Sequence, residues 1–159
     1  MEGRRSSAVD SLDRVMPEVD RLRAGHAASG RWTLGQILHH LASSIKLIVE
    51  GDHPLAGPID PEMARRFEIR RRRFLSSGRF LDGVAIPLPS LVPPFDADAG
   101  AGSESLRSAL ARFRESDGPF PSHPVFGPMS KDDWDAFHRL HCAHHLGVVR
   151  PIMAEGANS

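Results

Sequence analysis

Apolar side chains return every three or four residues in several separate stretches of this sequence, and nowhere do they alternate with polar ones over the length of a strand. A chain patterned this way buries its apolar surface by packing helices on one another, so the expected class is all-α. Proline and glycine punctuate the intervening segments. With 159 residues, 40% of them hydrophobic, the chain is long enough to bury a core as a single domain spanning 1–159.

The first helix is predicted from about Ser7 to Ala24, with Val9, Leu12, Val15, Met16, Val19 and Leu22 on its apolar side. Pro17 lacks a backbone donor, so the helix either kinks there or begins afresh. A second helix follows Trp32, with Thr33 as its cap, an apolar stripe of Leu34, Ile37, Leu38, Leu41, Ile45 and Ile48, and Gly51 at its end. Pro61 opens an arginine-rich helical piece to about Leu75, and Ser103 opens a short helix carrying Leu106, Leu110 and Phe113. Ser130, with Asp133 three residues on, starts a last helix that runs to about Val149, with Pro151 limiting it. The simplest assembly is an antiparallel bundle with a long irregular crossover between its halves.

Twenty basic and twenty acidic side chains cancel, which removes any global field toward nucleic acid or an anionic membrane. The run RRFEIRRRRF reads as a solvated arginine face, because Phe67, Ile69 and Phe74 form the apolar side of a helix and no aromatic stacking platform accompanies it. The basic start MEGRR lacks the apolar run of a signal peptide, and the uncharged stretch Gly83 to Phe95 is too short and too rich in proline to span a bilayer. The single Cys142 agrees with a reducing cytoplasm. About 90° from the centre of its helix's stripe, it reads as a small packed residue rather than a nucleophile.

The chemistry is concentrated in histidine. On the last helix Trp134, Phe137, His141, His145, Val148 and Ile152 fall within roughly 60° either side of one direction. His141 and His145 therefore stand one above the other within the apolar stripe. A single buried histidine is ordinarily a hydrogen-bonded core residue, but two stacked imidazoles leave polar nitrogens that one shared metal ion would satisfy. His138 lies at the edge of the stripe and His144 off to the other side. The second helix adds His39 and His40, which both flank its stripe by more than about 100°, and periodicity does not choose between them.

The stretch WTLGQILHHLA, with Trp32, Gly35, Gln36, Leu38, His40 and Leu41, resembles the second-helix motif of DinB-like proteins. HPVFGPMSKDDWDAFHRLHCAHHL resembles the end of a branch of that superfamily in which a His-Pro-x-Phe-Gly loop leads into a Trp-containing helix and a His-x-x-His-His-Leu motif. The resemblance implies a DinB-like four-helix bundle with a three-histidine site for one divalent ion, nickel or zinc foremost, with manganese or iron as further options. Carried over by position, the ligands are His40, His141 and His145, while His39 and His144 do not bind. It also implies a homodimer and a small-molecule substrate, with low-molecular-weight thiols as one class. The segment Gly51 to Gly102 matches no motif.

Three imidazoles leave a coordination position open, the layout of catalytic zinc sites. The resulting expectation is a metal-dependent enzyme similar to thiol S-transferases, with a metal-dependent hydrolase or a non-catalytic metal-binding bundle as alternatives. Glu50, Asp52, Asp133 and Asp135 read as helix-end or surface charges, so no general base is assigned.

Overall fold

The computed structural model describes residues 9–28, 30–51, 59–80 and 88–152. Among these, the helices are α1 (Val15–Ala24), α2 (Leu34–Glu50), α3 (Pro61–Ser77), α4 (Ala99–Glu115) and α5 (Lys131–Leu146), with 3-10 turns at Leu12–Arg14 and Pro89–Leu91. The protein is predominantly helical, as its periodicity predicts. No described helix is long and apolar enough to cross a membrane.

Local chemistry accounts for the helix ends. The Thr33 side chain accepts from the Gln36 backbone N–H while the Gln36 side chain accepts from the Thr33 N–H, a reciprocal cap that starts α2. Ser130 and Asp133 do the same for α5, and the Asp60 side chain caps α3 ahead of Pro61. Gly51 ends α2 in the left-handed conformation that glycine adopts without strain. Pro17 sits in the first turn of α1, where the missing N–H has no partner to lose, so the α-helix begins afresh beside it after the 3-10 turn.

Three boundaries differ from the sequence expectation. Among the described residues the first helix opens with the 3-10 turn Leu12–Arg14 and is α-helical only from Val15, not from near Ser7, because Ser11 is extended at φ −154° and ψ 164°. Helix α4 begins at Ala99 rather than near Ser103, because the Asp98 carboxylate accepts from the Ala101 N–H and carries the helix through Ala-Gly-Ala-Gly. Helix α5 stops at Leu146, short of Val149. Val149–Pro151 instead forms β2, which pairs antiparallel with β1 (His26–Ala28), His26 standing opposite Pro151. This sheet ties the chain after α1 to the chain after α5, and it leaves Ile152 59% exposed rather than on a buried helical stripe.

The core unites α1, α2, α4 and α5 with Phe74 of α3. Helices α2 and α4 pack closely because glycine stands at their contact. A Cβ on Gly102 would lie 2.9 Å from the Leu38 Cβ, and one on Gly35 would lie 2.1 Å from the Ala97 carbonyl oxygen. A methyl group at position 35 must push backbone aside, so Gly35→Ala should destabilise the protein by roughly 2 kcal/mol despite alanine's better helix propensity. Urea denaturation of the two proteins checks this, and an unchanged midpoint would contradict it.

The loop before α5 buttresses the core behind that helix. His123 Nδ1 accepts from the backbone N–H of Val125 and Phe126, and His123 and Gly127 bond each other through their backbones. The tight turn inserts Phe126 against Phe74 at 4.7 Å between ring centroids. Gly127 has φ +69°, and a Cβ there would strike the Phe67 ring at 2.6 Å. Arg71 of α3 donates to the carbonyls of Phe126 and Pro128 and fastens the loop from outside.

Candidate metal centre

Helix α2 carries His40 and helix α5 carries His141 and His145. His141 is buried, with 7% exposure, while His40 and His145 are half-buried. The Nε2 atoms of His40 and His141 are 3.0 Å apart, and those of His141 and His145 are 3.1 Å apart. The three rings stand edge to face, with centroids 4.8 to 4.9 Å apart.

Bonds of 2.0–2.1 Å at tetrahedral angles would place ligand nitrogens about 3.3 Å from one another, within a few tenths of the two short separations. The ligand atoms of all three residues lie within 4.8 Å of one another. Two of the separations already approach that spacing, and the donor set of three imidazoles is of the kind that holds a divalent ion. Among the described residues these three form the group of His, Cys, Asp and Glu side chains able to share one.

Protonation favours the same use. His40 Nδ1 donates to the Leu91 carbonyl at 2.7 Å, and since a carbonyl only accepts, the ring's proton is on Nδ1 and its Nε2 lone pair faces His141. Burial lowers the pKa of His40, a trend that the Leu91 carbonyl partly opposes. His141 is pushed well below the ordinary histidine value, first by burial and then by the neighbouring His145, His40, His138 and His144. Both rings are therefore neutral at pH 7, the form that ligates metal.

Aromatic rings hold the imidazoles from outside. Trp32 lies parallel to His145 at 5.7 Å and tilted against His40 at 4.9 Å, while Phe80 stacks on His141 at 4.7 Å. Of these, Trp32 stands in the second-helix motif but Phe80 has no sequence signal, since it follows α3 in a segment without periodicity.

The other histidines take different places. His39 stands outside the triad, its backbone N–H beside Gly102 of α4. His144 is edge-on to His145 at 5.0 Å and also meets Phe80, without joining the ligand group. His138 is sealed in the core against Phe113 and Trp134.

Cys142 is buried and burial raises its thiol pKa to about 12, which makes it a packed side chain and not a nucleophile. Glu50 pairs with Arg112, and Asp133 with Ser130 and Arg71, so neither carboxylate is at the triad. Asp52 falls outside the described residues, and Asp135 is exposed on α5.

Comparison with known proteins assigns a family but no activity. The model of the family described as "Protein of unknown function (DUF1569)" matches residues 1–152. No curated protein and no solved structure matches the chain.

Proposed function

We propose that this chain, which belongs to the DUF1569 family, binds one divalent metal ion through His40, His141 and His145 and uses it in chemistry on a small molecule. The observation that carries the proposal is the convergence of three Nε2 atoms from two helices, one of them held in its ligating tautomer by a backbone carbonyl. Two ring nitrogens 3.0 Å apart need either a proton or a cation between them, and a cation shared with His145 would serve all three rings at once.

Nickel or zinc is the ion proposed, as the resemblance to DinB-like proteins implies, and imidazole suits both. The same proposal includes kinship with DinB-like proteins and their four-helix bundle, on the motifs around His40 and His141. With three protein ligands, the bound ion would retain a free position and would supply Lewis acidity to water or to a thiol there. His40, His141 and His145 orient the ion, and Trp32 and Phe80 keep water from the faces of their rings. The reaction proposed, on the resemblance to DinB-like proteins, is conjugation of a thiol to an electrophile.

The test is conjugation of a low-molecular-weight thiol to a chromogenic electrophile by protein of measured metal content. The expected result is acceleration above that of the free metal ion, removed by a chelator and restored on reloading. A protein that holds one ion per chain and leaves this rate unchanged would instead be a metal-binding bundle without transferase activity.

A further inference from the structure

The segment between α3 and α4 matches no motif, yet it supplies an atom to the triad. Pro89–Leu91 forms one 3-10 turn, closed by bonds from the Leu91 N–H to the Leu88 carbonyl and from the Val92 N–H to the Pro89 carbonyl. The Leu91 side chain is buried at 6% exposure, and its carbonyl accepts the His40 Nδ1–H. Six residues on, the backbone at Ala97 lies so close to α2 that only glycine fits at position 35. The crossover is therefore seated on α2 at two places, one at the helix start and one at His40.

Resting on the three-histidine reading of the site, we propose that the Pro89–Leu91 turn is a positioning element of the metal centre, in which the Leu91 carbonyl selects the Nδ1–H tautomer of His40 and so sets the affinity for the ion. An unrestrained imidazole in water favours a proton on Nε2, the atom that must be bare to ligate. A carbonyl fixed opposite Nδ1 reverses that preference and holds the ring plane, the role that outer partners of metal-bound histidines generally play. Pro89 contributes by presetting the backbone of the turn that aims the carbonyl. The coupling works in both directions: an ion that holds His40 also holds the turn, so the Val92 amide should exchange more slowly in loaded protein.

Nitrogen-15 NMR of the histidine rings in metal-free protein reads the tautomer directly. His40 should carry its proton on Nδ1, and a proton on Nε2 would overturn the proposal. Pro89→Gly, an exposed position, should lower zinc affinity about 10- to 100-fold in competition with a chromophoric chelator and shift His40 toward the Nε2–H form, with helical circular dichroism unchanged. A merely structural turn would lower the melting temperature without moving the tautomer or the zinc affinity, and that result also overturns it. The two readings fail separately: wild-type protein that takes up no zinc removes the metal centre and this inference with it, whereas zinc uptake with His40 in the Nε2–H form removes only the role of the turn.

Discussion

His141→Ala should abolish stoichiometric metal binding. Its Nε2 is the shared vertex of the triad, 3.0 Å from that of His40 and 3.1 Å from that of His145, so its loss leaves two nitrogens with nothing between them. Spread over its ligands, the affinity of a protein for zinc amounts to a few kcal/mol each, so losing one weakens binding by about a thousandfold. His145→Ala and His40→Ala should have effects of similar size, because neither position has a neighbour that can take over: His144 meets the triad edge-on from outside, and His39 is not among the residues whose ligand atoms converge. His39→Ala should keep the ion. Elemental analysis after dialysis, with zinc competition titrations, measures the wild type and the four variants. One ion per chain retained in His141→Ala would sink the site, and loss in His39→Ala with retention in His40→Ala would assign the wrong member of the pair.

The second large effect is an acid sensitivity stored in His138. The ring is 1% exposed, neither nitrogen has a hydrogen-bond partner, and Phe113 and Trp134 pack against it at 4.9 and 5.7 Å. Burial lowers its pKa to about 3. In the unfolded chain the ring takes a proton near pH 6.5, so between pH 6.5 and about 3 the unfolded state binds more protons than the folded one.

Stability is thus undiminished by this group above pH 6.5 and falls as the pH falls through that window, by on the order of 4 kcal/mol at its lower end. His141, also held neutral by burial, acts with the same sign. Urea denaturation of metal-free protein from pH 8 to pH 4 should show this loss, and His138→Leu, which removes the proton site while keeping an apolar group in the cage, should flatten the curve. Parallel pH profiles for the two proteins would show that His138 plays no part.

The sequence by itself determined what depends on near neighbours. Helical periodicity placed α2, α3 and most of α5, the caps Thr33 and Ser130 marked the starts of α2 and α5 and Pro61 that of α3, and the i, i+4 spacing of His141 and His145 brought two imidazoles together because one helical turn separates them. Its reach ended where the partner was distant in the chain. Nothing near Val149 announces a strand, because β2 exists only through pairing with β1. The wheel put His39 and His40 both more than about 100° from the stripe of α2 and did not choose between them; the motif resemblance pointed to His40, and the packing of α5 against that helix is what brings His40 to His141.

Leu91 was the least legible of all, since what it contributes is a carbonyl, which every residue possesses, and its value comes from where the crossover lies. The donor types and the spacing within one helix were local properties of the chain. The third ligand, its tautomer and the aromatic rings around it were decided by tertiary structure, because a metal site is defined by distances between helices that no single helix encodes.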